Sequence, residues 1–99
     1  MPELTVILWR DLPAQVTATD GARSARRQLS DRFQQAIDAA AMKAGLSEAD
    51  AYLDEWRRET GPCGSDIDAE VAAEAERLEA AFDRETLAAL IRAGGVRDT

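Results

Sequence analysis

The chain's only cysteine, Cys63, sits in GPCGSD, between two glycines and just ahead of what reads as a helix start. A thiol one or two residues before a helix N-terminus feels the positive end of the dipole and unbonded N–H groups, which favour the nucleophilic thiolate. Arg57 and Arg58, in EWRRETGPC, would reinforce that field, while Asp66 and Asp68 oppose it. A free cysteine can equally be a small buried apolar residue. Two readings of Cys63 therefore stand, a redox or ligand-binding thiol and a plain turn residue. Catalysis of the usual kind is not expected. The sequence has no histidine, so neither a Cys–His pair nor a Ser–His–Asp triad can form within the chain, and the commonest metal ligand is missing. One cysteine can make neither an internal disulfide nor a tetrahedral zinc site. GPCG lacks the spacing of a phosphate loop, DIDAE lacks the rhythm of a calcium loop, and Glu70, Glu74 and Glu76 read as the solvated exterior of a helix. The expectation is a non-enzyme with no catalytic residues, no metal and no cofactor.

Arginine and tryptophan suggest recognition instead. Two Trp–Arg pairs, Trp9–Arg10 and Trp56–Arg57, have the composition of interface hot spots, although core tryptophans with solvated neighbours explain them as well. The basic cluster Arg23, Arg26, Arg27 and Arg32, in ARSARRQLSDR, reads as a solvated helix start or as a contact for an acidic partner or anion. The net charge is −7, with −1 on residues 1–50 and −6 on residues 51–99. So acidic a surface repels phosphate backbones and disfavours nucleic acid.

These side chains must be positioned by a small α+β fold. Ninety-nine residues, 45% hydrophobic and 31% charged, suit one folded domain over 1–99. No apolar run reaches the ~20 residues of a membrane helix, and LTVILW lacks the flanks of a signal peptide, so a cytoplasmic protein without membrane contact is expected. ELTVILWR alternates Leu4, Val6 and Leu8 against Thr5, Ile7 and Trp9, a strand apolar on both faces. Pro13 opens a second strand, AQVTAT, closed by Asp20–Gly21, giving a β-hairpin over about 3–20. A helix over about 24–44 follows from the spacing of Leu29, Phe33, Ala36, Ile37, Ala40 and Ala44, with Gly45 as a left-handed cap. Ser47 opens a helix over 48–59 with Ala49, Tyr52, Leu53 and Trp56 on its apolar side. Gly61–Pro62 breaks it. Ser65 starts a helix over 66–82, striped by Ile67, Val71, Ala75, Leu78 and Phe82; Asp83 caps another over 84–93, with Leu87, Leu90 and Ile91 inward. A two-stranded hairpin is marginal alone, so the edge of LTVILW is expected to pair across a homodimer or dock on a partner protein.

LTVILWRDLPAQVTA, AIDAAAMKAGLSEADAYLDEWRR, GPCGSD and AEVAAEAERLE together resemble the small bacterial proteins of the virulence factor family, from about Leu4 to Leu78. The family is named for the C-terminal domain of a conserved staphylococcal virulence regulator, and the resemblance brings no catalytic residues with it. It implies that Trp9, Arg10, Pro13, Trp56, Arg57, Arg58 and Cys63 are the first candidates for partner or ligand contact. The stand-alone proteobacterial form is associated with folate and corrinoid methyl-transfer enzymes, which implies an accessory or scaffold role in one-carbon metabolism. The expectation is thus a non-enzymatic interaction module, with a small-ligand or redox accessory using Cys63 and nearby arginines as the alternative.

Overall fold

Apolar alternation makes LTVILW the middle of a sheet. In the computed structural model, which describes residues 2–45 and 52–96, β1 (Glu3–Trp9) is antiparallel to β2 (Leu12–Asp20) on one side and to β4 (Trp56–Pro62) on the other. β3 (Arg23–Gln28) pairs with β2 over Gln15–Asp20 and completes the order β3-β2-β1-β4. The expected hairpin is therefore half of a four-stranded sheet. The β1 edge on which strand pairing across a dimer was argued is filled by β4 of the same chain.

Both tight turns are two-residue connections with a positive φ at the first position, where glycine is ordinarily found. Gly21 supplies it between β2 and β3, with φ 63°. Arg10 supplies it between β1 and β2, with φ 53°. The register shifts after Ile7, which faces Gln15 while Leu8 faces Pro13. Ala14 is thus the extra residue of a bulge, and Pro13, which has no N–H to give the ladder, sits where the ladder is already broken.

Three helices are described. α1 (Asp31–Lys43) buries Phe33, Ala36, Ile37, Ala40 and Ala41. α2 (Ile67–Ala81) buries Ile67, Val71, Ala75 and Leu78, the stripe expected from its spacing, and α3 (Arg84–Arg92) buries Leu87 and Leu90. Asp83 caps α3, its side chain accepting from Thr86 N. That bond to the Thr86 backbone, with Arg32 nearby, lowers the pKa of the Asp83 carboxyl. Gly45 takes the left-handed conformation that ends α1, with φ 77°.

Several sequence expectations are corrected. Residues 24–28, expected as the start of α1, are strand, and that helix starts at Asp31. The cap of α2 is Asp66, whose side chain accepts from Ala69 N, and not Ser65. The helix expected over 48–59 survives at Tyr52 and Leu53, but Trp56–Glu59 belong to β4. Leu53, expected on an apolar side, is 59% exposed. The Ser47 start lies outside the described residues.

The alternating register gives the sheet two unlike faces. Leu4, Val6 and Leu8 share one with Pro13, Val16, Ala18 and Ala25, and α2 packs over β2 and β3 there. Thr5 and Ile7 share the other with Gln15, Thr17, Arg26, Arg58 and Thr60, all exposed or half-buried. At one end of that open face Trp9 and Leu12 are fully buried. None of the described helices is long and apolar enough to cross a membrane.

Candidate functional site

Pairing of Trp9 with Trp56 brings five of the seven candidate residues to one corner of the molecule. Trp9 is completely buried. Its Nε1 donates to the Tyr52 carbonyl at 2.8 Å and its ring stacks on Tyr52, centroids 5.6 Å apart. Tyr52 in turn meets half-buried Trp56 edge-on at 6.0 Å. Gly95, at φ 90°, closes the corner: a Cβ there would lie 2.8 Å from the Trp9 ring, so no side chain fits.

The two arginines of the corner are fasteners. Arg10 crosses to the C-terminal turn, donating from Nη1 to the Gly94 carbonyl at 2.9 Å, while its Nε lies 3.3 Å from Glu55 Oε2. Backbone bonds reinforce both ties, Arg10 N to Glu55 O at 3.0 Å and Asp11 N to Gly95 O at 2.9 Å. Arg57 donates from Nε to the Arg10 carbonyl at 2.7 Å and pairs with Asp11 at 3.0 Å and Glu59 at 2.6 Å. Glu59 first, then Asp11, push the Arg57 pKa further up. A side chain held at the strained first position of a turn, and a second one clamped to its carbonyl, explain why WRDLP and EWRR carry arginine. Glycine would suit the backbone better and tie nothing down.

The remaining candidates lie elsewhere. Arg58 projects from the open face and is exposed. Cys63 lies just past β4, its N donating to Pro2 O at 3.4 Å. That is about 17 Å along the strand from Arg58 and about 20 Å from Arg57, so the arginine-assisted thiolate does not form. Desolvation raises the Cys63 pKa, and Glu70 and Asp20 raise it further. The thiol is half-buried and free, in surroundings that oppose the thiolate. Among the described residues no three Cys, Asp or Glu side chains converge to hold a metal ion.

What sequence reasoning missed is a groove beside the corner. α2 covers the β2–β3 half of its sheet face, and over β1 and β4 a hollow of 350 Å³ remains. Val6, Leu8, Pro13, Leu78 and Phe82 give it an apolar floor; Asp11, Arg57 and Glu59 on one side face Glu74 and Arg77 on the other, with Ala81 at the end of α2. Its arginines are already neutralised, Arg57 by Asp11 and Glu59, Arg77 by Glu74 at 2.5 Å. Glu74 also pushes the Arg77 pKa up. The corner shapes this groove by fixing Asp11, Pro13 and Arg57. Asp11 stands inside the signature block WRDLP and Glu59 directly follows EWRR, the one sequence signal for its rim. An apolar floor ringed by self-compensated charges suits an apolar or aromatic side chain and offers no spare cation to a small anion.

The family described as Virulence factor matches residues 7–91, most of the described fold, with the corner except Gly94 and Gly95 and the groove except Val6. No curated protein and no solved structure matches the chain. The chain belongs to the virulence factor family.

Proposed function

We propose that this member of the virulence factor family is a non-catalytic protein-interaction module that seats an apolar or aromatic anchor of a partner protein in the groove between α2 and the β1–β4 half of the sheet. The observation carrying this reading is the groove's construction: an apolar floor inside a rim whose arginines are all paired with the chain's own acids. Interface hot spots have this form, a buried anchor within a ring of polar contacts that exclude water. The ion pairs also hold the rim in shape before a partner arrives, which reduces the ordering cost of binding. The alternative centred on Cys63 loses support, because its neighbours are acidic and its thiol is pushed up. From the family resemblance, the partner class is an enzyme of folate or corrinoid methyl transfer, beside which this module acts as an accessory or scaffold.

Ala81 is exposed and stands at the groove's edge, so Ala81→Trp fills the groove without entering the core. Affinity capture from the native bacterium should retain a partner in near-equal amount with the wild-type chain and lose it with Ala81→Trp, the thermal midpoint being unchanged. Equal capture by both chains would reject the groove.

A further inference from the structure

A second surface, at the opposite edge of the sheet, is built differently. Arg10, Arg32, Arg57 and Arg77 each pair with an acid. Arg23, Arg26 and Arg27, all on β3 and all exposed, have no such partner among the described residues, in a chain with 19 acidic side chains. β3 is an edge strand, bonded only to β2, and its register from Gln15–Gln28 to Asp20–Arg23 runs without a bulge or a proline. An edge of this kind presents a row of unpaired N–H and C=O groups. The other edge, β4, is a poorer template, since Pro62 has no N–H to offer and Arg57 is tied to Glu59 and Asp11.

The charges decide which strand can add. A second copy of β3 would set arginine against arginine, and like charges directly across a ladder are destabilising. An acidic strand reverses the sign, and each opposite pair then adds to the main-chain bonds. Beside β3, on the open face, Thr17, Thr19, Ser24 and Arg26 help line a hollow of 380 Å³, whose hydroxyl and guanidinium donors suit a carboxylate of the added strand. We propose that β3 accepts an extended acidic segment of a partner protein as a fifth strand. This surface is separate from the groove, and its reading does not depend on the groove's occupant.

Three labelled synthetic peptides of equal length test it on the full chain by fluorescence anisotropy: alternating Glu–Val, alternating Lys–Val, and alternating Glu–Val N-methylated at every backbone nitrogen. The Glu–Val peptide should bind, the Lys–Val peptide should not, and the N-methylated Glu–Val peptide, equally charged but with no N–H to give the edge, should bind at least tenfold more weakly. Arg26→Gln/Arg27→Gln and Arg26→Glu/Arg27→Glu should each weaken Glu–Val binding tenfold or more with the fold retained by circular dichroism. Amide exchange in Ser24–Gln28 should slow on binding. Equal binding of Glu–Val and its N-methylated form would reduce the surface to charge attraction and overturn strand addition. So would protection appearing on β4 instead of β3, the absence of Glu–Val binding, or loss of that binding in Ala81→Trp.

Discussion

Arg10 shows how a residue that looks like a binding group can serve the fold. It holds a positive φ of 53°, which costs a non-glycine residue roughly 1–2 kcal/mol, and offsets that with its bonds to Gly94 and Glu55. Arg10→Ala keeps the strain and loses the bonds, whereas Arg10→Gly loses both. Urea denaturation should place both variants below wild type, with Arg10→Gly above Arg10→Ala by about 1 kcal/mol; the opposite order would contradict the assigned turn. Cys63 was legible in sequence only as a choice between two readings, because the groups that settle it come from β2 and α2. Asp20 approaches from β2, far back in the sequence, and Glu70 from the first turn of α2, and both join desolvation in raising its pKa. The thiolate form is thereby delayed to higher pH. Iodoacetamide alkylation should show a midpoint above that of free cysteine under the same conditions, and Glu70→Gln should move it down. A midpoint below free cysteine would revive the reactive thiol.

Among the elements, β1, α2 and α3 were readable because their burial follows from their own period. Leu4, Val6 and Leu8 alternate, and Ile67, Val71, Ala75 and Leu78 recur at helical steps. β3 and β4 were not readable, because RSARRQ and WRRETGP owe their strand state to partners far along the chain. In β3 only Ala25 is even half-buried, so no alternation signals the strand. In β4, Trp56 falls at helical spacing from Tyr52, yet pairing with β1 overrides local preference, as β-structure commonly does. Helix caps are local but easily displaced by one residue. Asp66 accepts from Ala69 N at 3.2 Å, so Asp66→Ala should cost about 1 kcal/mol in chemical denaturation and Ser65→Ala close to nothing. Equal losses would return the cap to Ser65.

For the whole molecule, the groove was invisible in sequence because it is a remainder. It exists where α2 stops covering the sheet, and no periodicity encodes the part of a face left bare. The signature blocks do point toward it indirectly: Trp9, Arg10 and Arg57 lock the corner, and the corner sets Asp11, Pro13 and Arg57 along the rim. The candidate residues thus divide into a structural lock, Trp9, Arg10, Pro13, Trp56 and Arg57, and outlying Arg58 and Cys63. The basic cluster Arg23, Arg26 and Arg27 lies across the sheet on β3, about 14 Å from the β4 side, so a module with two surfaces could hold two segments at once. The most direct test of the groove is a photo-crosslinking amino acid placed at position 81 in the native bacterium, with position 42 as control, since Met42 is 77% exposed on α1 and does not line the groove. The account predicts one dominant protein adduct from position 81, absent from position 42 and abolished by Glu59→Trp on the facing rim. No adduct from position 81, or the same adduct from both positions, would contradict it.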